Sequence, residues 1–78
     1  MMIMYTTSWC GFCHRLKRHL EREGIPFREV DIEHDPAAAT LVMSLNDGNA
    51  TVPTVVFPDG SSATNPSAAE VRSRLAAP

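Results

Sequence analysis

Two cysteines separated by two residues stand between an apolar run and a helical pattern, and this placement constrains the fold more than any other feature. Cys10 and Cys13 are the only cysteines among 78 residues. The preceding residues 3–7 are rich in β-branched and aromatic side chains, which is typical of a strand. Apolar residues then recur at helical spacing before Gly24, which predicts a helix over residues 10–23. We therefore expect Cys10 at a helix N-terminus and Cys13 one turn deeper.

The rest of the chain predicts an alternation of strands and helices. A second strand opens at Pro26 and runs to position 32, and Asp35 followed by Pro36 predicts the start of a second helix. Residues 52–57 are apolar at nearly every position, as expected of a central strand. A tight turn at 58–60 leads to a short strand near 62–64, and a capping-box pattern at 67–70 opens a last helix. The predicted inward positions of the last two helices are Ala38, Leu41, Val42, Leu45, Val71 and Leu75.

This order of elements, β-α-β-α-β-β-α, limits the topology. A crossover of helix length between the first two strands implies a parallel, right-handed pair. The turn at residues 58–60 implies an antiparallel hairpin. The sequence therefore predicts an α/β fold in which a four-stranded mixed sheet is flanked by three helices, the minimal thioredoxin fold. We expect residues 1–78 to form a single domain.

Composition limits the partners of such a domain. The apolar fraction of 44% is ordinary for a globular chain, and a net charge of −2 offers no basic surface for nucleic acid. No apolar run approaches the roughly 20 residues of a membrane span, and no signal peptide is visible. We expect a cytoplasmic monomer that binds neither nucleic acid nor membrane. In a reducing compartment, a cysteine pair is more often catalytic or metal-binding than structural.

The spacing of the two cysteines suggests that their sulfurs have different chemical roles. Backbone N–H groups at a helix N-terminus favour a thiolate, so we expect Cys10 to be an exposed, ionised nucleophile, helped by basic residues at positions 15, 17 and 18. We expect Cys13 to be less exposed and to remain protonated. Cys10 would attack a disulfide, which Cys13 or an external thiol would then resolve. Phe12 forms an apolar wall beside Cys10, and Trp9 is expected to line the substrate groove.

Val52 and Pro53 are a second sequence feature that predicts part of the substrate site. A proline at the start of a central strand is disfavoured, because it has no N–H to donate to the sheet. Beside a strand–cysteine–helix unit, we predict that the Val52–Pro53 bond is cis and that the Val52 backbone faces an extended thiol substrate opposite Cys10. The alternative is an ordinary trans proline, since only about 5–6% of such bonds are cis.

The runs at residues 5–13, 51–54 and 64–67 resemble those of the mycoredoxins, the actinobacterial branch of the glutaredoxins. The resemblance covers nearly the whole chain. It implies an enzyme that reduces mixed disulfides between proteins and a low-molecular-weight thiol, mycothiol, with S-thiolated proteins as partners and no bound cofactor. It also implies that Cys10 takes the thiol adduct and that Thr51, Val52 and Pro53 hold it. Asn65 either binds the thiol or only caps the last helix.

Two departures from glutathione-dependent glutaredoxins argue against glutathione as the thiol. Gly11 stands where those proteins have a proline after the first cysteine. The Gly-Gly pair and aspartate that precede their last helix are replaced here by residues 64–67, Thr-Asn-Pro-Ser.

Other interpretations of the cysteine pair remain open. The chain could be a dithiol electron donor to ribonucleotide reductase or peroxidases, reduced by thioredoxin reductase. It could also be a binding module in which two chains share an iron–sulfur cluster. Residues 10–14 match the c-type haem attachment pattern, but the lack of an export signal disfavours haem. The histidines at positions 14, 19 and 34 do not supply the second arm of a zinc finger, so no metal ligand is predicted.

Overall fold

The structure, a computed structural model, describes residues 1–76. The final two positions of the domain predicted to span residues 1–78 lie outside the described residues. The elements follow the predicted order, with one extra 3₁₀ turn. They are β1 (Met2–Thr6), α1 (Gly11–Arg22), β2 (Phe27–Asp31), the 3₁₀ turn Ile32–His34, α2 (Pro36–Leu45), β3 (Thr54–Val56), β4 (Ser62–Thr64) and α3 (Ala68–Ala76).

The strands form one mixed sheet in the order β2-β1-β3-β4. β1 and β2 are parallel and β3 and β4 are antiparallel, as predicted, and β3 also pairs antiparallel with β1. Because Tyr5 of β1 pairs with Thr54 of β3, the residues that follow β1 meet the residues that precede β3 at one edge of the sheet. This register brings Cys10 towards the loop that contains Pro53.

The helices cover both faces of this sheet. α1 and α3 pack on one face, and α2 packs on the other with Ile32 of the 3₁₀ turn. The buried residues of the first layer are Met2, Met4, Leu16, Leu20, Val55, Phe57, Ala68 and Val71. Those of the second layer are Tyr5, Ile32, Ala38 and Val42. The three-layer arrangement confirms the predicted thioredoxin-like fold.

Local signals define the helix ends. The Asp35 carboxylate accepts the Ala38 N–H at 3.1 Å, and Pro36 occupies the first turn of α2, as predicted. The Ser67 hydroxyl accepts the Glu70 N–H at 3.0 Å at the start of α3. Gly24 follows α1 with φ +69°, a conformation that glycine adopts at little cost. These groups satisfy part of the backbone that a helix end leaves without partners.

Several predicted boundaries are corrected by a few residues. β1 begins at position 2 instead of 3, and β3 begins at Thr54 instead of position 52. Pro53 has no N–H for the sheet, and the Val52 carbonyl faces Cys10 instead of a neighbouring strand. β2 ends before Ile32, because the Asp31 carboxylate accepts the Glu33 N–H at 2.9 Å and turns the chain into the 3₁₀ segment.

Three predicted inward positions are wrong. Leu41, Leu45 and Leu75 are exposed. The buried stripe of α2 consists of Ala38 and Val42, which are one turn apart. A helix that lies on a sheet as small as this one buries a narrow stripe, and leucines at its flanks remain in contact with solvent.

Candidate active site

Cys10 is the N-cap residue of α1, as predicted. Its backbone is extended, and its Sγ accepts a hydrogen bond from the Cys13 N–H at 3.1 Å. The first turn of α1 contains no acidic side chain. The sulfur therefore sits where unpaired N–H groups and the helix dipole stabilise negative charge. This is the position in which a thiolate nucleophile is expected.

Cys13 lies one turn deeper and is 1% exposed. Burial, followed by a hydrogen bond with Cys10, raises the pKa of the Cys13 thiol from 9.0 to about 11. The thiol is therefore almost entirely protonated at neutral pH. This agrees with the expectation that the second sulfur is the less exposed one and stays protonated.

The loop of Thr51, Val52 and Pro53 faces the first sulfur. The Val52–Pro53 bond is cis, as predicted. The Cys10 thiol donates to the Val52 carbonyl across 3.7 Å, although the two residues are 42 positions apart in the chain. The loop is also joined to the segment before α3, since the Asn65 N–H donates to the Pro53 carbonyl at 2.8 Å.

The expected exposure of Cys10 is wrong. The residue is only 6% exposed, because its sulfur is turned towards the Val52 carbonyl and the Cys13 N–H. The side chains beside it are open to solvent: Trp9 is 71% exposed and Phe12 is 61% exposed. Trp9 is therefore not a core residue, and Phe12 does not belong to the buried stripe of α1.

A cavity of about 260 Å³ lies between α1 and the start of α3, and neither cysteine is among its lining residues. Phe12, Arg15 and His19 line it from one side, and Asn65 and Ser67 line it from the other. Thus the structure places Phe12 and Asn65 at one cavity, whereas Trp9 and residues 51–53 are not among its lining residues. His19 was missed from the sequence, although its spacing from Phe12 and Arg15 is that of one helix face.

The basic residues of α1 have different surroundings. Arg15 lines the cavity, whereas the Lys17 ammonium donates to the Glu29 carboxylate at 2.9 Å on the β2 side of the helix. This hydrogen bond and the charge of Glu29 raise the pKa of Lys17. Lys17 is thus paired with Glu29, while Arg15 lines the cavity.

Within residues 1–76, no group of three or more histidine, cysteine, aspartate or glutamate side chains is arranged to hold a metal ion. His14 is exposed, and its Nε2 lies 2.8 Å from the Ser8 carbonyl. None of the helices in the described part of the chain has the length and apolar character needed to cross a membrane.

Comparisons with known proteins agree with this site. A family model described as glutaredoxin matches residues 2–61. A Mycobacterium tuberculosis protein whose name describes it as a glutaredoxin is 60% identical over 74 residues, which are 95% of this chain and 88% of that protein. Mycoredoxin 1 of Corynebacterium glutamicum is 43% identical over 74 residues, covering 95% of this chain and 91% of that protein. The crystal structure of a glutaredoxin from Archaeoglobus fulgidus superposes with a TM-score of 0.77 at 26% identity, covering 97% of this chain and 86% of that one.

A thioredoxin-like sheet with a Cys-x-x-Cys pair capping its first helix defines a thiol–disulfide redox protein. The chain belongs to the glutaredoxin family, which the match over residues 2–61 shows. It is a homologue of mycoredoxin 1, in agreement with the resemblance found in the sequence.

Proposed function

We propose that this protein reduces mixed disulfides between proteins and mycothiol, with Cys10 as the nucleophile and without a bound cofactor. The observation that carries the proposal is the unlike surroundings of the two sulfurs. Cys10 Sγ accepts the N–H of a helix N-terminus, whereas burial keeps Cys13 protonated. A thiolate at the first position and a thiol at the second are what such a reduction needs.

In the first step, the Cys10 thiolate attacks the mycothiol sulfur of the mixed disulfide. A bond forms between Cys10 and mycothiol, and the bond between mycothiol and the protein breaks. The protein sulfur leaves with the electron pair and takes a proton from water, which restores the protein thiol. The Cys13 N–H, which donates to Cys10 Sγ at 3.1 Å, remains in place to orient the sulfur of the adduct.

In the second step, the thiolate of another mycothiol attacks the mycothiol sulfur of the adduct. This releases the mycothiol disulfide and restores the Cys10 thiolate. In an alternative route, Cys13 loses its proton and attacks Cys10, forming an internal disulfide and releasing mycothiol. While Cys10 is free, the pKa of Cys13 is raised to about 11, which keeps this thiol protonated at neutral pH. We propose that the first route dominates while mycothiol is abundant, because it does not require Cys13 to ionise.

The cavity between α1 and the start of α3 supports a thiol with a polar, hydroxyl-rich body. Its lining combines the Asn65 amide, the Ser67 hydroxyl and the Arg15 guanidinium with the ring of Phe12. Amide and hydroxyl groups both donate and accept hydrogen bonds, as the sugar groups of mycothiol require. The loop of residues 51–53 would align the thiol backbone next to Cys10, and Trp9 would contact the protein that carries the disulfide.

The proposal is tested by following the reduction of one protein that carries either mycothiol or glutathione in the same mixed disulfide. We expect kcat/KM to be at least about tenfold higher for the mycothiol form, because only its sugar groups match the cavity. Cys10→Ser should be inactive with both substrates, whereas Cys13→Ser should retain most of the activity.

Equal kcat/KM values for the two forms would contradict the preference for mycothiol. An active Cys10→Ser protein would contradict the role of Cys10 as the nucleophile.

The absence of a cofactor is tested separately by anaerobic reconstitution with iron and sulfide. A protein that stays colourless agrees with the proposal. A visible absorption band with one cluster per two chains would instead support a cluster-carrying module.

A further inference from the structure

The side chain of Asn46 connects both walls of the active site, although it lies at the far end of α2. Asn46 is the C-cap residue of that helix. Its Nδ2 donates to the Val42 carbonyl at 2.8 Å, which fixes the amide to the helix. The same side chain makes two further hydrogen bonds, one towards each of the segments that meet beside Cys10.

The first of these hydrogen bonds reaches the loop opposite Cys10. Asn46 Nδ2 donates to the Thr54 hydroxyl at 3.1 Å. That hydroxyl in turn donates to the Thr51 carbonyl at 2.7 Å. Thr54 is 1% exposed, so water does not replace these partners. The residues on both sides of Val52 and Pro53 are therefore tied to α2 through a single amide.

The second hydrogen bond reaches the segment that enters the cavity. The Thr64 hydroxyl donates to Asn46 Oδ1 at 2.6 Å. The next residue, Asn65, lines the cavity and donates its N–H to the Pro53 carbonyl at 2.8 Å. Asn46 thus holds the Thr51–Pro53 loop and the Thr64–Asn65 segment in a fixed relation to each other.

The chemistry of the partners determines the orientation of the amide. The single proton of the Thr54 hydroxyl is used on the Thr51 carbonyl, so this oxygen must accept from Asn46. The Val42 carbonyl can also only accept. Both require the NH₂ group of Asn46 on that side, and the Thr64 hydroxyl then meets the amide oxygen. Both protons of the NH₂ group are used and the oxygen accepts from Thr64, so an aspartate, which has no proton to donate when ionised, could not replace Asn46.

We infer that Asn46 is a positioning residue for thiol–disulfide exchange. It acts through the Thr54 hydroxyl and the Thr64 hydroxyl to fix the loop and the Asn65 segment relative to each other, and it thereby holds the Val52 carbonyl opposite Cys10 and Asn65 at the cavity. The inference rests on the proposed function, in which the small thiol contacts both of these segments. It predicts that loss of the amide weakens binding of the thiol-bearing substrate more than it slows the chemical step.

The test compares Asn46→Ala and Thr54→Val with two reference variants. Thr54→Val keeps the shape of the side chain but removes the hydroxyl, and Thr54→Ser keeps the hydroxyl. Asn49→Ala is the matched control, because Asn49 is an exposed asparagine of the same turn whose side chain donates only to the Asn46 backbone carbonyl. We would measure kcat and KM for the mycothiol-mixed disulfide, and the rate at which iodoacetamide alkylates Cys10.

We expect Asn46→Ala and Thr54→Val to raise KM at least about fivefold and to change kcat less than about twofold. Alkylation of Cys10 should change less than about twofold, because a reagent as small as iodoacetamide does not depend on the loop and the Asn65 segment for binding. Thr54→Ser should bring KM back towards the wild-type value, and Asn49→Ala should leave it unchanged.

Unchanged KM values in both Asn46→Ala and Thr54→Val would overturn the inference, and so would a Thr54→Ser protein as impaired as Thr54→Val. If Asn46→Ala does not fold by circular dichroism, Thr54→Val alone decides between these outcomes. A wild-type protein that cannot turn over the mixed disulfide would overturn the proposed function and this inference with it. An active wild type with unaffected variants would overturn only the inference.

Discussion

At the scale of single residues, the two cysteines show how position within one helix turn separates two identical side chains. Cys10 caps the helix and accepts a backbone N–H. Cys13 is enclosed by the fold, and burial raises its pKa to about 11. The largest cause of this rise is independent of Cys10, but the hydrogen bond and the charge of Cys10 add to it. Once Cys10 carries a thiol adduct, these two contributions disappear and Cys13 becomes easier to ionise.

The raised pKa of Cys13 predicts a loss of stability in alkaline solution. On unfolding, the thiol leaves its buried site and its pKa falls from about 11 towards 9.0. The stabilisation is fully present below pH 9 and is lost as the pH rises towards 11, because the unfolded chain releases the proton first. Urea unfolding at about pH 8 and about pH 10.5 measures this difference. Cys13→Ser should lose less stability than wild type over this range, and an equal loss in both proteins would contradict the assignment.

Sequence reasoning placed the two cysteines correctly in α1 but did not predict all of their surroundings. The spacing of Cys10 and Cys13 and the strand before them are local features, so their positions in α1 could be predicted. The burial of Cys10 could not, because the group it faces is the Val52 carbonyl, 42 positions away. Asn46 was missed for the same reason. Its partners Thr54 and Thr64 are 8 and 18 positions away, and nothing local marks them.

At the scale of elements, the ends of the helices were predicted most accurately from the sequence. Each end depends on a capping group within three or four residues, such as Asp35 with Ala38 or Ser67 with Glu70. The burial of individual helix positions was predicted less accurately than the helix ends. Leu41, Leu45 and Leu75 match an amphipathic pattern but are exposed, because the width of the sheet beneath each helix decides how much of the apolar face is covered.

The cap of α2 gives a prediction at this scale. Asp35→Ala removes the oxygen that accepts the Ala38 N–H and should lower the free energy of unfolding by about 1 kcal/mol. Asp35→Asn keeps a capping oxygen and should stay within about 0.5 kcal/mol of wild type. Urea unfolding checks both values. Neither variant should change turnover of the mixed disulfide, since Asp35 is remote from Cys10, and equal losses in the two variants would contradict the capping role.

At the scale of the whole molecule, the fold was predictable because 78 residues leave few ways to bury one core. The parallel pair and the antiparallel hairpin follow from connection lengths, whereas the strand order β2-β1-β3-β4 was not predicted. The core is divided by the sheet into two layers, and the larger layer, under α1 and α3, supports the helix that holds Cys10. The stability of that layer therefore determines whether α1 holds the two cysteines in place at the site.

A cavity in the larger layer should destabilise the entire domain. Leu20 of α1 is fully buried between helix and sheet, so Leu20→Ala should cost about 2–5 kcal/mol. Leu75→Ala is the matched control, because Leu75 of α3 is exposed and should cost less than about 1 kcal/mol. Thermal and urea unfolding measure both changes. Similar losses for the two leucines would contradict the assignment of the core to Leu20.

The central claim is that the sulfur of Cys10 takes the small thiol from the substrate. Intact-mass spectrometry of the Cys13→Ser protein, after exposure to a mycothiol-mixed disulfide, tests it most directly. The account predicts one mycothiol adduct per chain, located on Cys10 by peptide mapping and removed by added mycothiol. A Cys13→Ser protein that acquires no adduct, or a Cys10→Ser protein that acquires one on Cys13 just as fast, would contradict it.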